Sequence, residues 1–187
     1  MTGIGHPTYD FWMPKSVRGQ LVGGTRTSVG EAEQIVKKAL VSVPLRREIY
    51  ELFLDDDPVV AMRASYVAIK LAQTDPKTVQ EFKKLLLKNL SHYTQQEVRW
   101  HVPQLLVHMK LTTAERRNCY EVVMDWSETD SSKIVAYYGL QAAADFVEID
   151  DALLEDFIPR MRKLNARGAK SVSNRCKKIA RQLEIEL

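Results

Sequence analysis

Few side chains in this chain sit at spacings that chemistry could use. His101 and His108 are seven residues apart. On a helix that is two turns, about 10 Å along the axis, too far for one metal ion to be shared. His92 has no Cys or carboxylate at ligand spacing, so no metal site is expected. Cys119 follows Arg117 and Asn118, which would favour a thiolate, but the sequence places no His beside it. A buried structural thiol is the expectation there. The glycines at 19–24 lack the Lys-Ser/Thr ending of a phosphate loop, and no pair of carboxylates is spaced as an acid and a base. No catalytic residue and no cofactor is expected.

The elements that would carry these residues are helices. Ser28…Glu31, Thr94…Glu97 and Thr112…Glu115 each read as a capping box, in which a hydroxyl and a carboxylate satisfy free amides at a helix start. Asp57-Pro58 and Asp75-Pro76 put a capping carboxylate before a proline suited to a first helical turn. Between these marks apolar residues recur at three and four, as in Ala64, Val67, Leu71 and in Val102, Leu105, Met109. Nothing alternates long enough to form a strand. The pattern predicts an all-α chain with helices near 31–43, 45–54, 58–73, 76–90, 94–110, 113–126, 131–147, 150–164 and 169–184, bent at Pro103 and Pro159.

Composition sets the limits. With 187 residues, 45% hydrophobic and 27% charged, a single core needs no staples, and two Cys fit a reducing compartment. No apolar run approaches a membrane span, and residues 1–27 lack a secretory pattern, so a cytoplasmic protein without a membrane partner is expected. Six of the eight glycines fall in the first thirty residues. An extended N-terminal arm is therefore expected at 1–27, carrying the apolar knot Tyr9-Asp10-Phe11-Trp12-Met13, ahead of a helical domain at 28–187. Net charge is only +3, but it is unevenly spread. Residues 101–159 carry 4 Lys/Arg against 11 Asp/Glu, and residues 160–187 carry 9 against 2. This segregation suits either two solvated faces or a polyanion-binding edge.

The helices repeat. A turn followed by an apolar residue, often with Arg next, opens a helix at Met62-Arg63, Val98-Arg99, Val135-Ala136 and Val172-Ser173, with steps of 36, 37 and 37 residues. With Asp57-Pro58 and Asp130 in the turns, the chain resembles HEAT-like (armadillo-type) repeat proteins over roughly residues 45–187. The resemblance implies a right-handed α-α superhelix, a solenoid of about four helix pairs plus an N-terminal helix. It also implies that Arg63 and Arg99 pair with turn carboxylates such as Asp57 or Asp130, and that each second helix lines a concave face.

Residues three and four apart on those second helices then form one groove: Arg63, Tyr66, Lys70; His101, Gln104, His108; Tyr137, Gln141, Asp145; Arg175, Lys178, Gln182. The leading expectation is a non-enzymatic scaffold that binds a protein partner there. A second reading is nucleic-acid binding. Bacterial DNA alkylation-repair glycosylases are similar in architecture and place Trp and Asp around a damaged nucleotide. Trp100, Trp126, Asp125 and Asp130 invite the comparison, but no motif matches residue by residue and no catalytic role carries over. A third reading is homo-oligomerisation, a self-associating structural protein joined through the acidic and basic segments.

Overall fold

The expected caps form where both partners face the same helix start. A computed structural model describes residues 16–25 and 28–187. In it Thr112 and Glu115 close a reciprocal capping box on α8 (Thr113–Thr129). Asp57 accepts from the Val59 amide at the start of α4 (Pro58–Thr74), 2.8 Å away. The other two boxes do not form. Ser28 Oγ accepts instead from Arg63, 2.9 Å away, leaving α2 (Ala32–Ala39) without a side-chain cap. Glu97 accepts from Gln95, and α7 (Gln96–Leu106) likewise starts uncapped.

The remaining helices are α1 (Val17–Leu21), α3 (Val43–Glu51), α5 (Lys77–Gln80), α6 (Lys83–Lys88), α9 (Lys133–Ile149), α10 (Leu154–Ala166) and α11 (Lys170–Gln182). Short 3₁₀ turns lie at Leu52–Leu54, Leu90–His92 and Asp151–Leu153, and the described residues contain no strand. Two expectations need correction. The helix read at 76–90 is broken at Glu81 and Phe82, where Phe82 leaves helical geometry. The break lays the Phe82 ring on Tyr50 at 4.7 Å and gives Glu81 to the Arg46 guanidinium at 2.8 Å. The arm at 1–27 is not extended where it is described. Val17 and Leu21 of α1 are buried in the core, and Arg18 ties the turn to Asp55 at 2.7 Å. The knot at 9–13 lies outside the described residues.

Five helices form a row in which each touches the next: α2, α4, α7, α9 and α11. A second row covers one side of the first. There α3, the 52–54 turn and α5 pack on α4, α8 packs on α7 and α9, and α10 packs on α8, α9 and α11. The repeated positions Met62, Val98, Val135 and Val172 are all buried. Ala142, Ala143 and Ala144 are buried too, and small side chains let helix axes approach. Gly139 is the tightest point. A Cβ there would sit 2.8 Å from the Val123 carbonyl and against Ser127 Oγ, so α8 and α9 meet with no room for a methyl group.

Side chains joining successive helices do so at a recurring separation. Arg18–Asp55, Arg46–Glu81, Lys83–Glu115, Arg99–Asp130 and Arg117–Asp150 span 31 to 37 positions. Ser65–His101, Tyr120–Asp156 and Arg175–Gln141 span 34 to 36. The same range covers bonds on both rows.

Candidate functional site

Arg63 heads the expected groove, but the fold withdraws it. It is 2% exposed. Its Nε donates to the Ser28 carbonyl and Nη1 to the Leu21 carbonyl, each at 2.8 Å, and Nη2 donates to Ser28 Oγ. The backbone of 21–25 and 28–30 lies so close to the guanidinium that a Cβ at Gly30, where φ is +54°, would lie 3.0 Å from Nη1. Neither a surface ligand nor the expected partner of Asp57, Arg63 is the anchor of the N-terminal segment. Arg99 does take the expected carboxylate, Asp130, at 3.1 Å.

Next along the row, Tyr66 and Lys70 on α4 are half-buried, with the Lys70 ammonium 5.3 Å above the Tyr66 ring. The Tyr66 ring lies 6.5 Å from that of His101 on α7. His101 itself is buried, and burial lowers its pKa to about 4. Its Nδ1 sits 2.7 Å from Ser65 Oγ. A Ser–His contact of that length is what nucleophile activation requires, but Ser65 is 0% exposed and gives its hydroxyl proton to the Met62 carbonyl. Nδ1 therefore carries the proton and donates to Ser65, an assignment made from the network. The pair fastens α4 to α7, and no substrate reaches it.

The groove proper runs across α7, α9 and α11. Gln104 and His108 face Tyr138, Gln141 and Asp145 around a pocket of about 200 Å³. His108 also lines a neighbouring pocket of about 410 Å³ with Pro76, Lys77, Gln80, Glu81 and Lys110. Gln141 donates to Asp145 at 2.7 Å and accepts from Arg175 Nη1 at 2.6 Å. The Arg175 guanidinium carbon lies over the Tyr137 ring, 4.0 Å from its centroid. Burial raises the Asp145 pKa, with Glu148 adding to the effect and His108 opposing it. Gln182 donates to Glu148 at 2.7 Å. Lys178 is exposed and has no side-chain partner among the described residues.

The structure thus brings together Gln104, His108, Tyr137, Gln141, Asp145 and Arg175. Tyr66 and Lys70 sit one helix away, and Lys178 stands apart. Sequence reasoning missed Tyr138, and considered Trp100 only beside a nucleotide. Tyr138 is three residues before Gln141, the same spacing rule that selected Tyr137 four before it. Trp100 is half-buried with its ring edge-on to His101 at 5.7 Å.

Other chemistry-bearing side chains are spent on structure. Trp126 is 4% exposed under the Arg99 guanidinium, and Asp130 also caps Ser132 at 2.9 Å, so neither is presented to a nucleotide. Cys119 and Cys176 are buried, which pushes their thiols up to about 12 and about 11. No His, Cys, Asp and Glu cluster that could hold a metal occurs among the described residues. None of the described helices is long and apolar enough to cross a membrane. Compared with known proteins, the chain matches no protein-family model, no curated protein and no solved structure.

Proposed function

We propose that the chain is a HEAT-like, armadillo-type binding scaffold, a right-handed superhelix whose row of second helices takes an extended segment of a protein partner. The observation that carries this reading is the groove across α7, α9 and α11. There an amide (Gln104), an imidazole (His108), an amide–carboxylate–guanidinium chain (Gln141, Asp145, Arg175) and two tyrosines stand side by side. Such a surface offers donors and acceptors together, as recognition of a peptide backbone requires, with aromatic faces for side chains. The 36–37 residue period, and hydrogen bonds that join residues about one period apart, support the solenoid.

Selection from a displayed library of random peptides tests the reading. Peptides enriched on the native chain and lost on Gln141→Ala with Tyr137→Ala are the expected result. Enrichment that survives both substitutions would place the partner elsewhere.

A further inference from the structure

We infer that the outward face of α11 docks the phosphate backbone of duplex nucleic acid, a surface separate from the peptide groove. In α11 Val172, Cys176 and Ile179 point into the core. Lys170, Asn174, Lys177 and Arg181 recur at four, three and four, so they share the opposite face, a line about 16 Å long. Lys178 flanks it, and Lys163 and Arg167 lie on and just after α10, the helix packed against α11. All six cations are exposed, and none has a side-chain partner among the described residues.

The acidic half of the chain is disposed in the opposite way. Arg160 holds Glu121, Glu128 and Asp156, while Lys83, Arg99 and Arg117 hold Glu115, Asp130 and Asp150. Gln141 and Gln182 bind Asp145 and Glu148. Most of these carboxylates are therefore bonded within the chain, whereas the cations of the stripe are not, although Glu121 and Asp156 stay exposed. A solvated end face needs polarity, not one sign. Like charges a turn apart, such as Lys177 and Arg181, destabilise a helix, so this stripe is a cost unless an anion covers it.

The chemistry selects among anions. An acidic protein surface or a second copy of this chain would want an apolar centre, and no exposed large apolar residue lies on α11. A membrane-surface helix would carry an apolar face for insertion, and the apolar face of α11 is already in the core. A single strand would be met by stacking aromatics, and the stripe has none. A duplex backbone asks only for a row of cations, and supplies one charge per about 1.7 Å of axis.

The test is anisotropy of a labelled duplex of about 20 base pairs with the full chain at roughly 50 and 200 mM salt. We expect a Kd of about 10 µM or tighter at the lower salt and, for four phosphate contacts, a loss of roughly 100-fold at the higher. Lys177→Gln with Arg181→Gln should lower the slope of log K against log salt by about 2. Lys84→Gln with Lys88→Gln, exposed cations on α6, should leave it unchanged. Circular dichroism confirms that both variants stay folded. Absence of binding at the lower salt overturns the proposal, as does equal weakening by the α6 control. Tighter binding to vesicles of phosphatidylcholine with phosphatidylserine than to duplex would overturn it in favour of a membrane.

Discussion

Arg63 and His101 are the two residues whose roles depend most on burial. The Arg63 guanidinium satisfies the carbonyls of Leu21 and Ser28 and has no carboxylate partner there. Arg63→Met removes the donors and strands buried acceptors, and should cost about 3 kcal/mol in urea unfolding. Arg63→Lys should recover little, because an ammonium cannot span the carbonyls that a planar fork reaches. His101 makes stability depend on pH. Its folded pKa is about 4, below the 6.5 of a free imidazole, so between those values the unfolded chain binds the extra proton. Stability should be flat above pH 6.5 and fall as pH drops toward 4, by about 3 kcal/mol. Urea midpoints at pH 7 and pH 5 should capture about 2 kcal/mol of this fall, and His101→Gln should flatten it.

At the scale of elements, the contact of α8 with α9 is set by a missing methyl group. Gly139→Ala would gain helix propensity, worth up to about 1 kcal/mol. It would also push a Cβ into the Val123 carbonyl and Ser127, a clash worth about 2 kcal/mol. The net effect expected is a lowered melting temperature, the reverse of the propensity rule. The same contact shows what was legible in the sequence. Apolar spacing predicted every long helix, and Thr112…Glu115 marked the start of α8 to the residue, because caps and periodicity are local. Ser28…Glu31 has the same local signature, yet Ser28 serves Arg63, thirty-five positions away. Likewise α1 has too few residues to show a period, and the break at Phe82 exists because Tyr50 and Arg46 pull on its two sides. At Ser28 and at Phe82 a tertiary contact overrides a local preference.

For the molecule as a whole, burial divides the residues that the sequence put on one stripe. Three-and-four spacing, joined across helices by the HEAT-like resemblance, drew one stripe through Arg63, Tyr66, Lys70, His101, Gln104, His108, Tyr137, Gln141, Asp145, Arg175, Lys178 and Gln182. Packing then buried its first part as fastening between helices and left α7, α9 and α11 open as a groove. A stripe can be read from three-and-four spacing. Which of its residues a neighbouring segment covers cannot, since Leu21 and Ser28 reach Arg63 only in the folded chain. The groove and the α11 face are distinct surfaces, so variants at one should leave the other unaffected: Lys177→Gln with Arg181→Gln should retain peptide enrichment in full. The central claim, that the groove binds an extended peptide, is tested most directly by mapping backbone amide shifts as an enriched peptide is titrated into the labelled chain. Shifts concentrated at Gln104, His108, Tyr137, Tyr138, Gln141 and Arg175 are the expected result. Shifts confined to α8 and α10, on the other row, would contradict it.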